Sequence, residues 1–288
     1  MTTPVPFYLG CAVWAYPDWV GAFYPERTSP RKFLNCYSDR LNTVEGNTTF
    51  YAVPPVKTVQ KWRSQTPPGF KFCPKFPQTV THQGLLLPQL PAALSFIERM
   101  QHLGDRLGIL FLQLPPRYSP EQAEDLRNFL MALPRETSAI ALEVRHPHWF
   151  YPQVREQLNA GLAQLGVQRV ILDTRSVYSS SGDPQAASRN RKPQLPVFPD
   201  YSTTTSLIRF IAHPEPQYQD PFLAEWVGQV ADWLKCDRTV YFFVHCPVER
   251  HSPKIAQTFY QKLQAHSSLI LPPFFKPPSP AVEQLSLF

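Results

Sequence analysis

The stretch Ala139–Arg145, AIALEVR, decides the fold: it is a short apolar run that ends on charged residues. Such a run is typical of a parallel strand that is buried on both faces. The same pattern recurs along the chain, and working outward from this stretch gives eight candidate strands. They are Phe7–Val13, Leu41–Glu45, Phe70–Lys75, Leu107–Leu114, Ala139–Arg145, Arg169–Asp173, Ser206–Ala212 and Thr239–His245.

Helical patterns separate these runs. Serine followed by proline opens a helix well, because serine caps the first turn and proline has no N–H to leave unpaired there. Gln122, three residues after Ser119, completes a capping box. The predicted helices begin at Ser29-Pro30, Ser119-Pro120, Asp220-Pro221 and Ser252-Pro253, or span Pro54–Gln65, Gln89–His102 and Pro152–Leu165.

Strands that alternate with helices eight times predict an α/β fold, a single-domain (β/α)8 TIM-like barrel. We expect the barrel to occupy residues 1–271, and a Pro-rich tail to follow over residues 272–288. An open doubly wound sheet is the alternative, but no GxGxxG follows the first strand and no phosphate-loop motif occurs. The sequence therefore offers no nucleotide-cofactor motif.

Composition limits the class of protein. Of 288 residues, 43% are hydrophobic and 17% charged, and no run approaches the roughly 18 apolar residues of a membrane span. No signal peptide is visible, and five cysteines without CxxC spacing argue against a disulfide framework and a zinc site. We therefore expect a cytoplasmic protein with no membrane partner. The net charge of +6 permits an anionic partner.

Polar side chains gather where the strands end. Along each strand of a barrel, every second residue points inward. The residues expected to point inward are apolar in the lower part of the strands, as at Ile109, Ile171 and Phe243. Barrel enzymes place their sites at the C-terminal mouth. The residues expected there are Glu45, Asn47, Lys75, Gln113, Glu143, Arg145, Asp173, Arg175, Arg209, His213 and His245.

Within this set, Glu45, Lys75, Glu143 and Asp173 are the candidate catalytic residues. Glu45 and Glu143 are a possible acid–base pair for a hydrolase of phosphodiester or glycosidic bonds. We expect neighbouring carboxylates to raise the pKa of Lys75, which favours a charge partner or oxyanion clamp over a nucleophile. The alternative is that these charged side chains form an ionic network in which each group has a partner and which only fills the barrel.

The arginines at the mouth favour a phosphate or carboxylate ligand and disfavour a divalent metal. The possible metal ligands are Glu45, Glu143, Asp173, His213 and His245. Trp14 and Tyr16 follow the first strand and are candidates for stacking on a ligand. His146 adjoins Arg145 and is a further candidate for ligand contact. Ser176–Thr205 is a long, irregular polar segment at the mouth that carries Arg189, Arg191 and Lys192. Such a segment is typical of a basic flap over the site or of solvated disorder.

Several motifs resemble the YecE-like family, a domain of unknown function. The resemblance covers most of the chain up to Asp173, and it implies a barrel of this type without implying a reaction. Two places depart from the family pattern, at Val244-His245-Cys246-Pro247 and at Arg209–His213. The matching motifs are Gly10-Cys11 with Trp14-Ala15-Tyr16, Trp19-Val20-Gly21 with Phe23-Tyr24-Pro25, Val44–Tyr51, Trp62 with Thr66-Pro67, Phe72 with Lys75, Thr81-His82, Gln113–Pro116, and Glu143–His146 with Trp149.

The chain ends in Gln284-Leu285-Ser286-Leu287-Phe288, after a proline-rich spacer. This pentapeptide resembles the one by which bacterial replication and repair proteins dock on the DNA polymerase sliding clamp. The glutamine amide would fix the register, while Leu285, Leu287 and Phe288 would fill apolar pockets. A chance match, or packing of these residues on the barrel, is the alternative.

Three hypotheses follow. The first is an enzyme that acts on nucleic acid or nucleotide fragments and reaches DNA through the clamp. The second is a small-molecule enzyme that acts on a sugar or sugar phosphate. The third is a barrel that binds without turnover.

Overall fold

A computed structural model describes residues 5–179, 192–266 and 269–275 of the chain. Each of the eight predicted runs overlaps one strand. The strands are β1 (Phe7–Cys11), β2 (Thr43–Gly46), β3 (Lys71–Pro74), β4 (Leu110–Gln113), β5 (Ile140–Glu143), β6 (Gln168–Asp173), β7 (Thr205–Ile211) and β8 (Thr239–His245).

Helices follow the strands, as the alternating pattern predicts. The capping box is present, since the Ser119 N–H donates to Gln122 Oε1 at 2.6 Å. The helices are α1 (Phe33–Ser38), α2 (Thr48–Tyr51), α3 (Val56–Ser64), α4 (Gln78–Thr81), α5 (Leu90–Gln101), α6 (Ala123–Ala132), α7 (Pro152–Leu165), α8 (Arg175–Tyr178), α9 (Pro216–Lys235) and α10 (Ser252–His266).

The prediction that Asp220-Pro221 opens a helix is wrong. α9 begins at Pro216, and Pro221 lies inside it. A proline this near the start removes one hydrogen bond from the helix, that to the Gln217 carbonyl. Gln219 and Leu223, on either side of Pro221, are buried, so packing keeps the first turns helical.

All strand pairs are parallel, and they form two sheets. Six strands lie in the order β1-β8-β7-β6-β5-β4, and two lie in the order β2-β3. Isolated bridges join β3 to β4, at Phe72 with Leu107 and at Lys75 with Phe111. The predicted α/β architecture with parallel strands is therefore confirmed, whereas the backbone ladder is divided between two sheets.

Side-chain hydrogen bonds connect β1 to β2, at the second junction between the two sheets. We call this junction the seam. The Asn42 amide accepts from the Leu9 N–H and donates to the Phe7 carbonyl, both at 2.9 Å. The strands approach so closely here that a Cβ on Gly10 would lie 2.2 Å from the Thr43 carbonyl oxygen. Glycine at this position is therefore a steric requirement.

Two apolar clusters lie on opposite faces of the strands. One includes residues of the helices, as where Phe242 stacks on Phe259 of α10 at 4.0 Å. The other consists of strand residues and forms a floor between the sheets. This inner cluster is Cys73, Ile109, Phe111, Ala141, Val170, Leu207, Tyr241 and Phe243.

The chain beyond α10 packs against the strands as far as it is described. Phe274 is buried and its ring lies 5.9 Å from Phe7, while the Phe275 N–H donates to the Arg40 carbonyl at 3.0 Å. The packed part of the chain thus continues to Phe275, past the boundary predicted at Leu271. No helix among the described residues is long and apolar enough to cross a membrane.

Candidate functional site

A group of polar side chains lies above the inner apolar cluster, at the C-terminal ends of the strands. We call it the charged cluster. Every member is less than a tenth exposed, so these groups interact mainly with one another. The charged cluster is Glu45, Lys75, Gln113, Glu143, Arg145, Arg209 and His245.

Arg209 of β7 lies between the two carboxylates. Its Nε and Nη2 donate to Glu45 at 2.8 and 2.9 Å, and its Nη1 donates to Glu143 Oε2 at 2.6 Å. Such charge-assisted, two-point contacts hold both partners in fixed geometry. The other carboxylate oxygen of Glu143, Oε1, accepts from Arg145 Nε at 2.6 Å.

Both carboxylates remain ionised. Burial opposes the charge on Glu45, but Arg209 and its neighbours outweigh burial and hold the pKa of Glu45 well below its usual range. Burial likewise opposes the charge on Glu143, yet Arg145 and Arg209 lower its pKa to about 2. An acid–base pair needs one carboxyl that keeps its proton near neutrality, so these two glutamates are poor candidates for that role.

Lys75 follows β3 and lies beside both carboxylates and both arginines. Its Nζ donates to Gln113 Oε1 at 3.0 Å and lies 3.4 Å from Glu45 Oε1. Burial and the charge of Arg209 lower the pKa of Lys75 to about 7, against the opposing pull of Glu45 and Glu143. Glu45 and Glu143 do act to raise this pKa, but the expectation that it is raised overall is wrong, because burial and the arginines outweigh the carboxylates.

His245 ends β8 and bonds to Glu45, with Nε2 2.7 Å from Oε2. Burial lowers the pKa of His245 to about 4, although Glu45 opposes the change. The ring is therefore neutral near pH 7. A neutral histidine oriented by a carboxylate is an arrangement that enzymes use for proton transfer.

Two further ionisable residues face the charged cluster. Lys192, in the segment between β6 and β7, interacts with Arg209, Arg145, Glu45 and Glu143. Burial, followed by the arginine charges, lowers its pKa to about 8. The sequence reading placed Lys192 in a basic segment at the mouth but gave it no role of its own.

Sequence reasoning missed Glu249. It begins the 3-10 turn Glu249–His251 after β8, and its Oε1 is buried with no hydrogen-bond partner among the described residues. Burial, together with the charge of Glu45, raises the pKa of Glu249 to about 8. The available signal was a lone carboxylate four residues past a strand end, which does not by itself reveal burial.

Asp173 does not join the charged cluster, contrary to expectation. Its Oδ2 accepts from Trp226 Nε1 of α9 at 2.8 Å and from Arg175 Nη2 at 2.9 Å. In β6 it is Val170 that lies in the inner apolar cluster, whereas Ile171 packs in the cluster shared with the helices. The predicted parity of β6 was therefore off by one residue, which turns Asp173 toward the helices.

Arg175 is likewise absent from the charged cluster. Besides Asp173, it contacts Glu225 of α9, with Nη1 2.7 Å from Oε2, and its guanidinium lies 4.5 Å from the centre of the Phe222 ring. The prediction that Arg175 contacts a ligand at the mouth is therefore not supported by its position. Asp173 and Arg175 together attach the end of β6 to α9.

The other candidates for ligand contact occupy local structural positions. Trp14 packs edge-on against Trp62 at 5.1 Å, and Tyr16 packs against Trp19 at 5.6 Å. Asn47 donates to the Ala12 carbonyl at 3.1 Å, which ties the end of β2 to the loop after β1. Trp14, Tyr16 and Asn47 are partly exposed, and these contacts are with residues outside the charged cluster.

His146 and His213 each begin a turn after a strand. His146 Nδ1 accepts from the His148 N–H at 3.2 Å, and His213 Nδ1 accepts from the Glu215 N–H at 3.0 Å. His213 is buried and packs against Tyr218, with ring centres 4.6 Å apart. Both imidazole rings therefore already have partners within the protein. Their contact with a ligand stays a prediction.

Two further predictions concern a partner-binding peptide and a metal site. Gln284, Leu285, Leu287 and Phe288, predicted to bind a partner, lie outside the described residues. For a metal, no group of three or more His, Cys, Asp or Glu side chains within residues 5–179, 192–266 and 269–275 is arranged to hold an ion.

Comparisons with known proteins agree with this architecture. Residues 8–281 match the family described as "Protein of unknown function DUF72". The UPF0759 protein YecE of Escherichia coli K12 is 36% identical over 260 residues, which are 89% of this chain and 92% of that protein. The UPF0759 protein YunF of Bacillus subtilis is 30% identical over 159 residues, 52% of this chain and 54% of that protein.

Solved structures of this family share the fold. A DUF72 family protein from Enterococcus faecalis superposes with a TM-score of 0.69 at 16% identity, over 94% of this chain and all of that one. A DUF72 family protein from Thermotoga maritima superposes with a TM-score of 0.66 at 21% identity, over 90% of this chain and 99% of that one. At such identities the likeness concerns the fold alone.

Proposed function

This chain belongs to the DUF72 family, and we propose that it is an enzyme whose charged cluster binds an anionic, phosphate-bearing ligand. We further propose that the two sheets complete a closed (β/α)8 barrel, with the charged cluster at its C-terminal mouth. The bridges between β3 and β4 and the side-chain seam between β1 and β2 support this closure.

One observation carries the proposal: basic groups outnumber carboxylates in a buried space. Arg145, Arg209, Lys75 and the partly exposed Lys192 share it with the ionised carboxylates of Glu45 and Glu143, while burial raises the pKa of the neighbouring Glu249 carboxyl to about 8. Burial and the arginine charges lower the pKa of Lys75 to about 7 and of Lys192 to about 8, despite those carboxylates. A bound anion would relieve the excess positive charge, and phosphate suits planar guanidinium donors.

Phosphate ester chemistry fits this site better than glycoside hydrolysis. Glycoside hydrolysis by two carboxylates needs one that remains protonated, but the pKa values of Glu45 and Glu143 are both lowered. Lys75, whose pKa is lowered to about 7 by burial and by Arg209, is instead the group that can gain or lose a proton near neutrality. We therefore favour Glu45, Glu143 and the neutral His245, which bonds to Glu45 at 2.7 Å, as positioning residues, with Lys75 as the group that exchanges protons with the ligand.

Binding of inorganic phosphate tests the proposal. At pH 7 and constant ionic strength, phosphate should raise the melting temperature saturably, and chloride should not. Arg145→Met should abolish the increase, because it removes a phosphate donor, while Arg63→Met, at an exposed pair with Asp105, should preserve it. An unchanged response in Arg145→Met, or an equal response to chloride, would overturn the proposal.

The two candidate substrates differ in the molecule that carries the phosphate. The terminal Gln284–Phe288 motif favours nucleic acid that is reached through the sliding clamp, and a sugar phosphate is the alternative. The full chain should bind a bacterial sliding clamp, and Leu287→Ala Phe288→Ala should abolish that binding. If the unmodified chain does not bind the clamp, the sugar phosphate becomes the preferred substrate class.

A short single-stranded oligonucleotide provides the matching ligand test. Competition with phosphate, with an affinity that falls steeply as salt rises, would support nucleic acid. Competition by a sugar phosphate alone would support the small-molecule alternative. Ligand binding without turnover of either class would indicate a barrel that only binds.

A further inference from the structure

We propose that Lys75 is an amine nucleophile that captures an aldehyde or ketone as an imine, and that this carbonyl compound carries an anionic group. The requirement for an anionic group rests on the proposed function; the imine chemistry of Lys75 does not. The charged cluster would then carry out imine formation as well as bind an anionic ligand.

The first argument is that Lys75 lacks a carboxylate of its own. Both oxygens of Glu45 accept from Arg209, and one of them also bonds to His245. The 3.4 Å contact from Lys75 Nζ to Glu45 is longer than the roughly 2.7–2.9 Å of a strong charged hydrogen bond. The arginines thus occupy the best positions on the carboxylate.

Glu143 is committed in the same way. Its Oε1 accepts from Arg145 at 2.6 Å and its Oε2 accepts from Arg209 at 2.6 Å. The short contact of Lys75 is instead with the neutral Gln113 side chain, at 3.0 Å. Among the described residues, Lys75 is therefore the basic side chain of the charged cluster with the longest ionic contact, 3.4 Å to Glu45.

Burial of the amine also favours its neutral form. The lysine side chain is 6% exposed, and this burial acts against the cation–π contacts of Nζ with Phe111 at 4.9 Å and Phe50 at 5.4 Å, which favour the charged form. Burial and Arg209 lower the pKa of Lys75 to about 7, so about half of the amine is unprotonated at neutral pH. A desolvated lysine next to another cation is a recognised way to activate an amine.

The chemical step balances without any further reactant. The unprotonated Nζ adds to the carbonyl carbon, and a proton moves from nitrogen to oxygen to give a carbinolamine. The carbinolamine expels its hydroxyl, which takes a proton from solvent and leaves as water, and the product is the protonated imine, which becomes the neutral imine when its nitrogen returns a proton to solvent. A C=N bond has then replaced the C=O bond, with no oxidant or reductant consumed. The nearby arginines would hold the anionic group of the substrate.

Reductive trapping tests the imine directly. The full chain is incubated with glyoxylate, glyceraldehyde 3-phosphate or propanal and with sodium borohydride, and the modified lysine is located by peptide mass spectrometry. We expect saturable labelling of Lys75 by the two anionic probes. Lys71 is the matched control because it begins β3, the strand that Lys75 follows, and its Nζ donates to the neutral Asp105 carbonyl at 2.8 Å.

The expected contrast is large. Near pH 7 the unprotonated fraction of Lys75 is about 1000-fold larger than that of an ordinary lysine amine, so Lys75 should be labelled at least about 100-fold faster than Lys71. Lys75→Met should lose the label, and Lys71→Met should retain it at Lys75. Competitive acetylation of the unmodified chain gives the titration midpoint of Lys75 without any variant.

The outcomes separate this inference from the proposed function. Labelling of Lys75 no faster than Lys71, or a titration midpoint near 10, overturns the imine while phosphate binding is judged by its own experiment. Labelling of Lys75 by propanal as readily as by the anionic probes supports the nucleophile and contradicts its anionic substrate. Phosphate protection of Lys75 from labelling supports both.

Discussion

Arg209 holds Glu45 in a two-point contact, with Nε 2.8 Å from one carboxylate oxygen and Nη2 2.9 Å from the other. The two residues lie 164 positions apart in the sequence and on strands of different sheets. Both are almost fully buried, so each depends on the other for charge neutralisation. This pair therefore contributes to the position of the two sheets as well as to the charged cluster.

Removal of Arg209 should be strongly destabilising. Arg209→Met leaves Glu45 and Glu143 buried without their main partner, and a stranded buried charge costs about 3–5 kcal/mol. Chemical denaturation at pH 7 measures the free energy of unfolding. Arg63→Met, which breaks an exposed pair, should cost at most about 1 kcal/mol. A loss below about 1 kcal/mol in Arg209→Met would contradict this account.

Glu249 should make stability depend on pH. Its pKa in the folded protein is raised to about 8, from an ordinary value of 4.5, mainly by burial. The folded state therefore binds the proton more tightly than the unfolded state, and stability is lost as pH rises through that interval. Glu249→Gln removes the ionisation, so the variant should gain stability relative to the unmodified chain as pH rises from 4.5 to 8.

Denaturation at several pH values gives this difference directly. Glu156→Gln, at an exposed position of α7, provides the control and should follow the unmodified chain at every pH. If the difference between Glu249→Gln and the unmodified chain is constant with pH, Glu249 is not a buried acid. A difference that shrinks as pH rises would contradict the sign of the shift.

Asp173 and Arg175 should matter for stability but not for ligand binding. Asp173→Asn weakens the charged contact with Arg175 and retains a partner for Trp226, so we expect a loss of about 1–3 kcal/mol. Phosphate affinity by calorimetry should stay within about twofold, since the pair lies toward α9. Loss of phosphate binding in Asp173→Asn, of the size expected for Arg145→Met, would return Asp173 to the site.

The strands themselves could be predicted because each couples an apolar run to a polar end. Their parity was harder to predict where a strand is apolar on both faces, as in β6. Val170, Ile171 and Leu172 are all buried, so the sequence alone does not show which face turns inward. In β5 the small residue Ala141 precedes Glu143 by two, and there the predicted inward face agrees with the inner apolar cluster.

The charged cluster was easier to predict than its chemistry. The residues Glu45, Lys75, Glu143, Arg145 and Arg209 lie at or within two residues of the C-terminal ends of their strands, and such ends converge at one edge of parallel sheets. The direction of the shift at Lys75 depends on distances that no sequence gives. Glu249 and Lys192 come from irregular segments, where burial follows from packing and not from any periodic pattern.

The seam between β1 and β2 leads to the last prediction. Asn42 fills the role of backbone partners there, since its side chain bonds to the Leu9 N–H and to the Phe7 carbonyl. Asn42→Ala leaves both groups without a partner in a buried place, which should cost about 2–4 kcal/mol. Asn128→Ala, exposed on α6, should cost nothing, because alanine suits a helix better than asparagine.

Hydrogen exchange distinguishes a local effect from a general loss of stability. In Asn42→Ala the amide of Leu9 should exchange faster than amides of β8, which keep their ladder to β1 at Leu9 with Phe242. If the Leu9 amide stays protected and the free energy of unfolding falls by less than about 1 kcal/mol, the seam does not depend on Asn42. Faster exchange at Leu9 alone would mean that one side chain holds this edge of β1 to β2.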